Sequence, residues 1–255
     1  ATVSGTLVAP ERNTVMAIGA NPTGSDQITS GQCPKMKVYS VKIHNQALTA
    51  TEIANTSEIN GRIWDVSSSQ DRSILAWIDY TSTYDGPYWV YIGSNSTIYA
   101  NKDSSYLFAY IGSNSQTVAT ATVDHLDYLN TSNVEDMSRM FLDFGRTSLT
   151  SIFIGESFDT HNVTNMKEMF RNCGYEKMTA FQLTKGANFD TSKVTNMTGM
   201  FNGTGYKSMT TFNLGKSFNT SSVTTLNWMF RDTGHEALTS LSLGSNFNTS
   251  KVTVM

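Results

Sequence analysis

The chain of 255 residues is best narrowed first by what it lacks. No stretch approaches the roughly 20 consecutive apolar residues of a membrane-spanning helix, and Ala1 is not followed by the charged and then apolar pattern of a signal peptide. Charged residues are only 15%, with 18 Lys+Arg against 21 Asp+Glu, a formal net charge of -3 and no basic block. That argues against nucleic acid or an anionic membrane as a partner held by a charged face. The two cysteines, Cys33 and Cys173, lie far apart in unlike contexts and read as free thiols. His44, His125, His161 and His235 are isolated, with no second ligand at metal-binding spacing. Asp85 with Asp79 or Asp71 could be drawn as a glycosidase pair, but nothing orients them. We therefore assign no catalytic residue, no metal and no cofactor, and expect a protein that is not an enzyme. Ser, Thr, Asn and Gly stand where Lys and Glu usually solubilise a surface, a balance more common in secreted or cell-surface bacterial proteins, so an extracellular location is expected.

What is present is a repeat. Met-Phe pairs fall at Met140-Phe141, Met169-Phe170, Met200-Phe201 and Met229-Phe230, and the valines Val134, Val163, Val194, Val223 and Val252 keep the same beat. A period of about 30 residues points to a solenoid or array. Within each unit Val163, Met166, Met169 and Phe170 and their counterparts occupy one face of an expected short helix. Runs such as Asp190-Thr191-Ser192 are suited to cap it, and Gly174, Gly205 and Gly234 stand where a left-handed residue would end it.

A second pattern, L-x-x-L-x-L, reads as a short strand at Leu149-Ile152-Ile154, Met178-Phe181-Leu183, Met209-Phe212-Leu214 and Leu238-Leu241-Leu243. Strand plus helix cannot bury its apolar face alone, so neighbouring units must stack. A worn first copy precedes them at Val118, Ala121 and Val123, with Leu107-Phe108 in place of Met-Phe. The expected fold is an α/β repeat solenoid of parallel strands backed by short helices, preceded by a small, mostly β N-terminal region. At the other end Met255 aligns with Met197 and Leu226, before the next Met-Phe, which reads as a fragment of a longer array.

Side chains alternate across a strand, so the residues between the core positions should face a partner. They are Ser151 and Phe153, Ala180 and Gln182, Thr211 and Asn213, and Ser240 and Ser242, with Thr120 and Thr122 from the worn copy. Phe153 is the one aromatic in the row and would suit a hot spot.

"FDTSKVTNMTGMF" followed by "MTTFNL" or "LTSLSL" resembles the BspA-like leucine-rich repeats of bacterial surface proteins; the repeats match over 126–255, and the introducing segments "WDVSSSQDRSILAWID", "YWVYIGSNSTIYAN" and "SSYLF" extend the likeness to about residue 61. The resemblance implies a secreted or surface-exposed protein that adheres to host proteins or other cells. "CGYEKMT" and "TGYKSMT" depart from the common repeat length, so loop contacts of that family are not carried over. "KVYSVKIHNQALTATEIANTS", after "MAIGANP", is similar to the closing strand of a laminin-G or concanavalin-like lectin sandwich. About 60 residues are too few for the whole sandwich, whose sugar-binding strands would be missing. The expected divisions are residues 1–60, a partial lectin-like β segment; 61–106, an aromatic-rich β module; and 107–255, the repeats, with the worn cap at 107–125.

The reading that follows is a non-enzymatic adhesion module that binds a host or neighbouring-cell surface protein through the strand face. The alternative is a glycan-binding or structural module of an appendage or virion that uses the rings of 77–110, with Tyr84, Tyr88 and Trp89 in the "YDGPYW" turn. Rings so spaced more often fill the core of a small β module, because Trp89 and Tyr91 alternate with Val90 and Ile92.

Overall fold

The structure, a computed structural model, describes residues 5–6, 38–44, 63–65, 74–79, 88–94, 97–113, 122–124, 126–152, 154, 158–183 and 189–255. Towards the N-terminus five strands form one sheet: β2 (Val38–His44), β3 (Ile63–Asp65), β4 (Ile74–Asp79), β5 (Tyr88–Ser94) and β7 (Thr122–Asp124), in the order β3-β4-β5-β2-β7. The β3-β4-β5 part is antiparallel, whereas β2 lies parallel to both β5 and β7. A strand from the first of the expected segments thus lies between strands from the two later ones. Ala76 and Ile92 face each other across β4 and β5 and are buried in the same apolar core as the repeats.

The repeats stack on a beat of about 30 residues. Strands β9 (Ala180–Gln182), β10 (Thr211–Asn213) and β11 (Ser240–Ser242) pair in parallel, with Phe181 beside Phe212 and Phe212 beside Leu241. A second parallel set joins β1 (Gly5–Thr6), β6 (Ile98–Tyr99) and β8 (Leu129–Asn130). Single bridges then run from Asp103 through Asp136, Asn165, Asn196 and Thr225 to Val254.

The helices expected over the Val-x-x-Met-x-x-Met-Phe stretches do not form. Among the described residues the one helical element is a three-residue 3-10 turn, Leu126–Tyr128. The expectation of an α/β repeat solenoid is overturned: short parallel strands lie in small sheets, and turns occupy the places given to helices. The cause is where the amides go. Met166, Glu168, Phe170 and Asn172 donate to Asn196, Thr198, Met200 and Asn202 of the next repeat at 2.8 to 2.9 Å. The residues between them, Met169, Arg171 and Cys173, close three-residue turns onto Met166, Glu168 and Phe170. A helix would keep all of these bonds within the segment.

This alternation needs left-handed residues. Glu168, Asn172 and Gly174 have φ of 54°, 55° and 55°, and equivalent positions recur in the neighbouring repeats. Each non-glycine there costs about 1 to 2 kcal/mol and interrupts a right-handed helix. Gly174, Gly205 and Gly234 are left-handed as expected, although no helix precedes them. A Cβ on Gly205 would lie 2.5 Å from the Cβ of Met209, so only glycine fits without a shift.

The inward face is the one the periodicity marked. Val163, Met166, Met169 and Phe170, and Val194, Met197, Met200 and Phe201, are all fully buried. Phe108, Phe141, Phe170, Phe201 and Phe230 stack in a column with centroids 5.4 to 5.8 Å apart. Phe181 and Phe212 meet Phe201 edge-on at 5.3 and 5.0 Å. Offset and edge contacts of this kind add to the burial of the rings.

The Asp-Thr-Ser runs do not cap helices either. Asp159, Asp190, Asn219 and Asn248 each accept the amide two residues on, at 2.8 to 2.9 Å, which closes a local turn. The threonines of these runs, Thr160, Thr191 and Thr220, are buried and donate to the carbonyls of Asp190, Asn219 and Asn248 in the next repeat.

Candidate interaction surface

The strand face is built by register. Ala180, Thr211 and Ser240 form one row, and Gln182, Asn213 and Ser242 a second. Successive repeats lie about 4.8 Å apart, the ordinary strand spacing. Gln182, Ser240 and Ser242 are exposed, while Ala180, Thr211 and Asn213 are half-buried. Asn213 is partly committed, since its Oδ1 accepts the Gly215 amide at 2.9 Å. Ser151 is exposed and extends the first row, because Thr179 donates its amide to Thr150 just as Thr210 donates to Thr179.

The remaining expected positions are not gathered there. Thr122 lies in β7, bonded to β2 in the five-stranded sheet. Phe153, Thr120 and Tyr84 lie outside the described residues, as does Cys33. Tyr88 and Trp89 lie in β5, with Tyr88 opposite Val38 and Trp89 opposite both Ser40 and Asp79.

Two sets of surface residues escaped the sequence reading. The first is a row of exposed threonines, Thr150, Thr179, Thr210 and Thr239, along the border of the strand face. Thr210 and Thr239 donate their hydroxyls to the carbonyl one repeat back, at 3.3 and 3.2 Å. Their signal was the threonine that follows the first apolar residue of each strand pattern. The second is a column on the turn side. Tyr175 stacks on Tyr206 at 4.6 Å, Tyr206 on His235 at 4.8 Å, and the Arg146 guanidinium sits 4.0 Å from the Tyr175 ring. Each of the four directly follows a left-handed glycine: Gly145, Gly174, Gly205 or Gly234.

The turn side also carries the charges. Glu168 accepts from Arg139 at 2.5 Å and from Arg171 at 2.8 Å, and Arg146 pairs with Asp143 at 3.2 Å. Burial works to raise the Glu168 carboxyl, but the hydrogen bonds and charges of Arg139 and Arg171 prevail and hold it below its ordinary value. Asp143 is shifted the other way, raised chiefly by burial. Cys173 is free and fully buried, and burial with the nearby Asp143 charge pushes its thiol well above the ordinary range, which leaves it unreactive. His161 is exposed, with Nδ1 2.6 Å from the Asp159 oxygen that also accepts the His161 amide.

The strand face is therefore flat, repetitive and uncharged, and can offer hydroxyls, amides and little else. Among the described residues no group of three or more His, Cys, Asp or Glu is placed to hold a metal ion, and no helix is long and apolar enough to cross a membrane. Neither a curated protein nor a solved structure matches the chain. Residues 113–205 and 174–255 match the family described as "Mycoplasma protein of unknown function, DUF285"; together they span more than half of the sequence, and the protein belongs to that family.

Proposed function

We propose that this protein is a non-enzymatic adhesion module, displayed outside the cell, that binds a surface protein of a host or neighbouring cell through its strand face. The observation that carries the reading is the in-register array of small uncharged side chains: Thr179, Thr210 and Thr239 beside Ala180, Thr211 and Ser240, then Gln182, Asn213 and Ser242. Rigid parallel rows present hydrogen-bonding groups at a fixed repeat, so little side-chain freedom is lost on contact. The resemblance of the repeats to BspA-like surface proteins supports the same reading.

The test uses fluorescent protein on intact epithelial cells. Binding should fall when cell-surface proteins are removed by protease, and change little between low and moderate salt, because no charged row exists to be screened. A Thr210→Lys, Gln182→Lys, Ser240→Lys variant, altered only at exposed positions, should bind about tenfold less while its thermal melt is kept. Undiminished binding by the folded variant would remove the strand face from the reading.

A further inference from the structure

Arginines gather in one patch of the turn side, although the sequence spaces them too widely to show a basic run. Arg139 and Arg146 belong to one repeat and Arg171 to the next. Two carboxylates bring them together. Glu168 accepts from Arg139 through one oxygen and from Arg171 through the other, while Asp143 accepts from Arg146 and also interacts with the Arg171 charge. Three guanidiniums against two carboxylates leave one positive charge in excess.

The two signs lie at different depths. The Glu168 and Asp143 side chains are 15% and 19% exposed, whereas those of Arg139, Arg146 and Arg171 are 30%, 33% and 43% exposed. The acids are sunk, and the guanidiniums stand above them. Two of the three are also held over a ring, Arg139 over Tyr106 at 5.3 Å and Arg146 over Tyr175 at 4.0 Å. A guanidinium carries five N–H donors, and the carboxylates take one from each. Solvent therefore meets a set of donors whose side-chain freedom is already restricted, which lowers the entropy lost when an anion binds.

We propose that this patch binds the sulfate esters of a sulfated polysaccharide. The ligand follows from charge and shape. A sulfate ester spreads one negative charge over three terminal oxygens, one for each guanidinium, and so matches the single excess positive charge. A phosphate monoester carries about -1.5 to -2 at pH 7 and would be repelled more strongly by Glu168 and Asp143 beneath. A carboxylate offers two oxygens and leaves one arginine unused. The cationic column also continues along the stack: Arg231 holds the place of Arg171 two repeats on, with Asn202 between them, and its side chain is 57% exposed. At the ordinary strand spacing that is roughly 10 Å along the stack, so a chain with anions at intervals can engage both. Exposed charges make the contact, so this surface is sensitive to salt where the strand face is not.

The experiment is isothermal titration of the full chain with a heparin hexasaccharide, the same hexasaccharide stripped of its sulfates, and a sulfotyrosine peptide. The sulfated sugar should bind and the desulfated one should not. Affinity for the sulfated sugar should fall about tenfold or more between roughly 50 and 300 mM salt. A double variant, Arg139→Lys with Arg171→Lys, keeps the charges opposite Glu168 but loses the planar fork, and should weaken binding about tenfold while the thermal melt changes little. Arg231→Gln alters only an exposed position and should weaken it about threefold. Equal affinity for the two hexasaccharides, or wild-type affinity in either folded variant, would overturn the proposal. Tighter binding of the sulfotyrosine peptide than of the sulfated hexasaccharide would overturn the polysaccharide in favour of a modified protein.

Discussion

Each repeat between residues 159 and 225 carries two threonines of the same chemistry and opposite circumstances. Thr160, Thr191 and Thr220 are sealed in the interior at 0 to 1% exposure, whereas Thr164, Thr195 and Thr224 stand in solvent. The inner hydroxyls work in both directions: Thr191 donates to the carbonyl of Asn219 at 2.8 Å and accepts its amide at 2.7 Å, and Thr220 does the same with Asn248. The outer hydroxyls make single, longer bonds of 3.2 to 3.3 Å to the carbonyl one repeat back. Both rows reach between repeats, but only the inner one does so where water cannot replace the partner. The lesson is that periodicity in a repeat protein records stacking, while burial decides what stacking is worth.

Substitutions can break or sharpen that contrast, and the largest effect belongs to the core behind the inner row. Phe201 touches five other rings, and Phe201→Ala should cost about 3 to 5 kcal/mol in chemical denaturation. A loss near zero would mean that the column is not the interior of the stack. Next comes Thr191→Val, which preserves shape but leaves the Asn219 amide and carbonyl without that hydroxyl, at about 1 to 3 kcal/mol. If it proved as mild as an outer substitution, the distinction between the rows would fail.

Between these and the surface lies Glu168. Its folded pKa is depressed from 4.5, so its contribution is complete above the unfolded value and is lost as pH falls through the folded one. Unfolding followed from pH 7 downward should show acid destabilisation that Glu168→Gln flattens below about pH 4.5. An unchanged acid limb would show that the Arg139 and Arg171 contacts do not operate in solution. The smallest effect is expected for Thr195→Val, within about 0.5 kcal/mol, as for other solvent-facing positions.

Much of this arrangement was legible in the sequence. Spacing alone marked Val194, Met197, Met200 and Phe201 as one inward set, identified Gly174, Gly205 and Gly234 as left-handed, and located the strands at Phe181 and Phe212 with their parallel register. Those features depend on composition repeated in phase, which a single chain displays openly. The wrong element for Val-x-x-Met-x-x-Met-Phe arose because apolar residues every three positions suit a succession of three-residue turns as well as a helix.

Sequence by itself determined the period, the inward residues and the polarity of the strand face, since each is a property of side chains placed at equal intervals. Tertiary structure decided whether those intervals became helix or turn, because the deciding bonds join residues such as Glu168 and Thr198, one repeat apart. It also decided that β2 enters the sheet between β5 and β7, a pairing across more than 40 residues that no local pattern encodes. And it decided which threonine is structural, for a hydroxyl becomes indispensable only where the surrounding chain has excluded the water that would otherwise take its place.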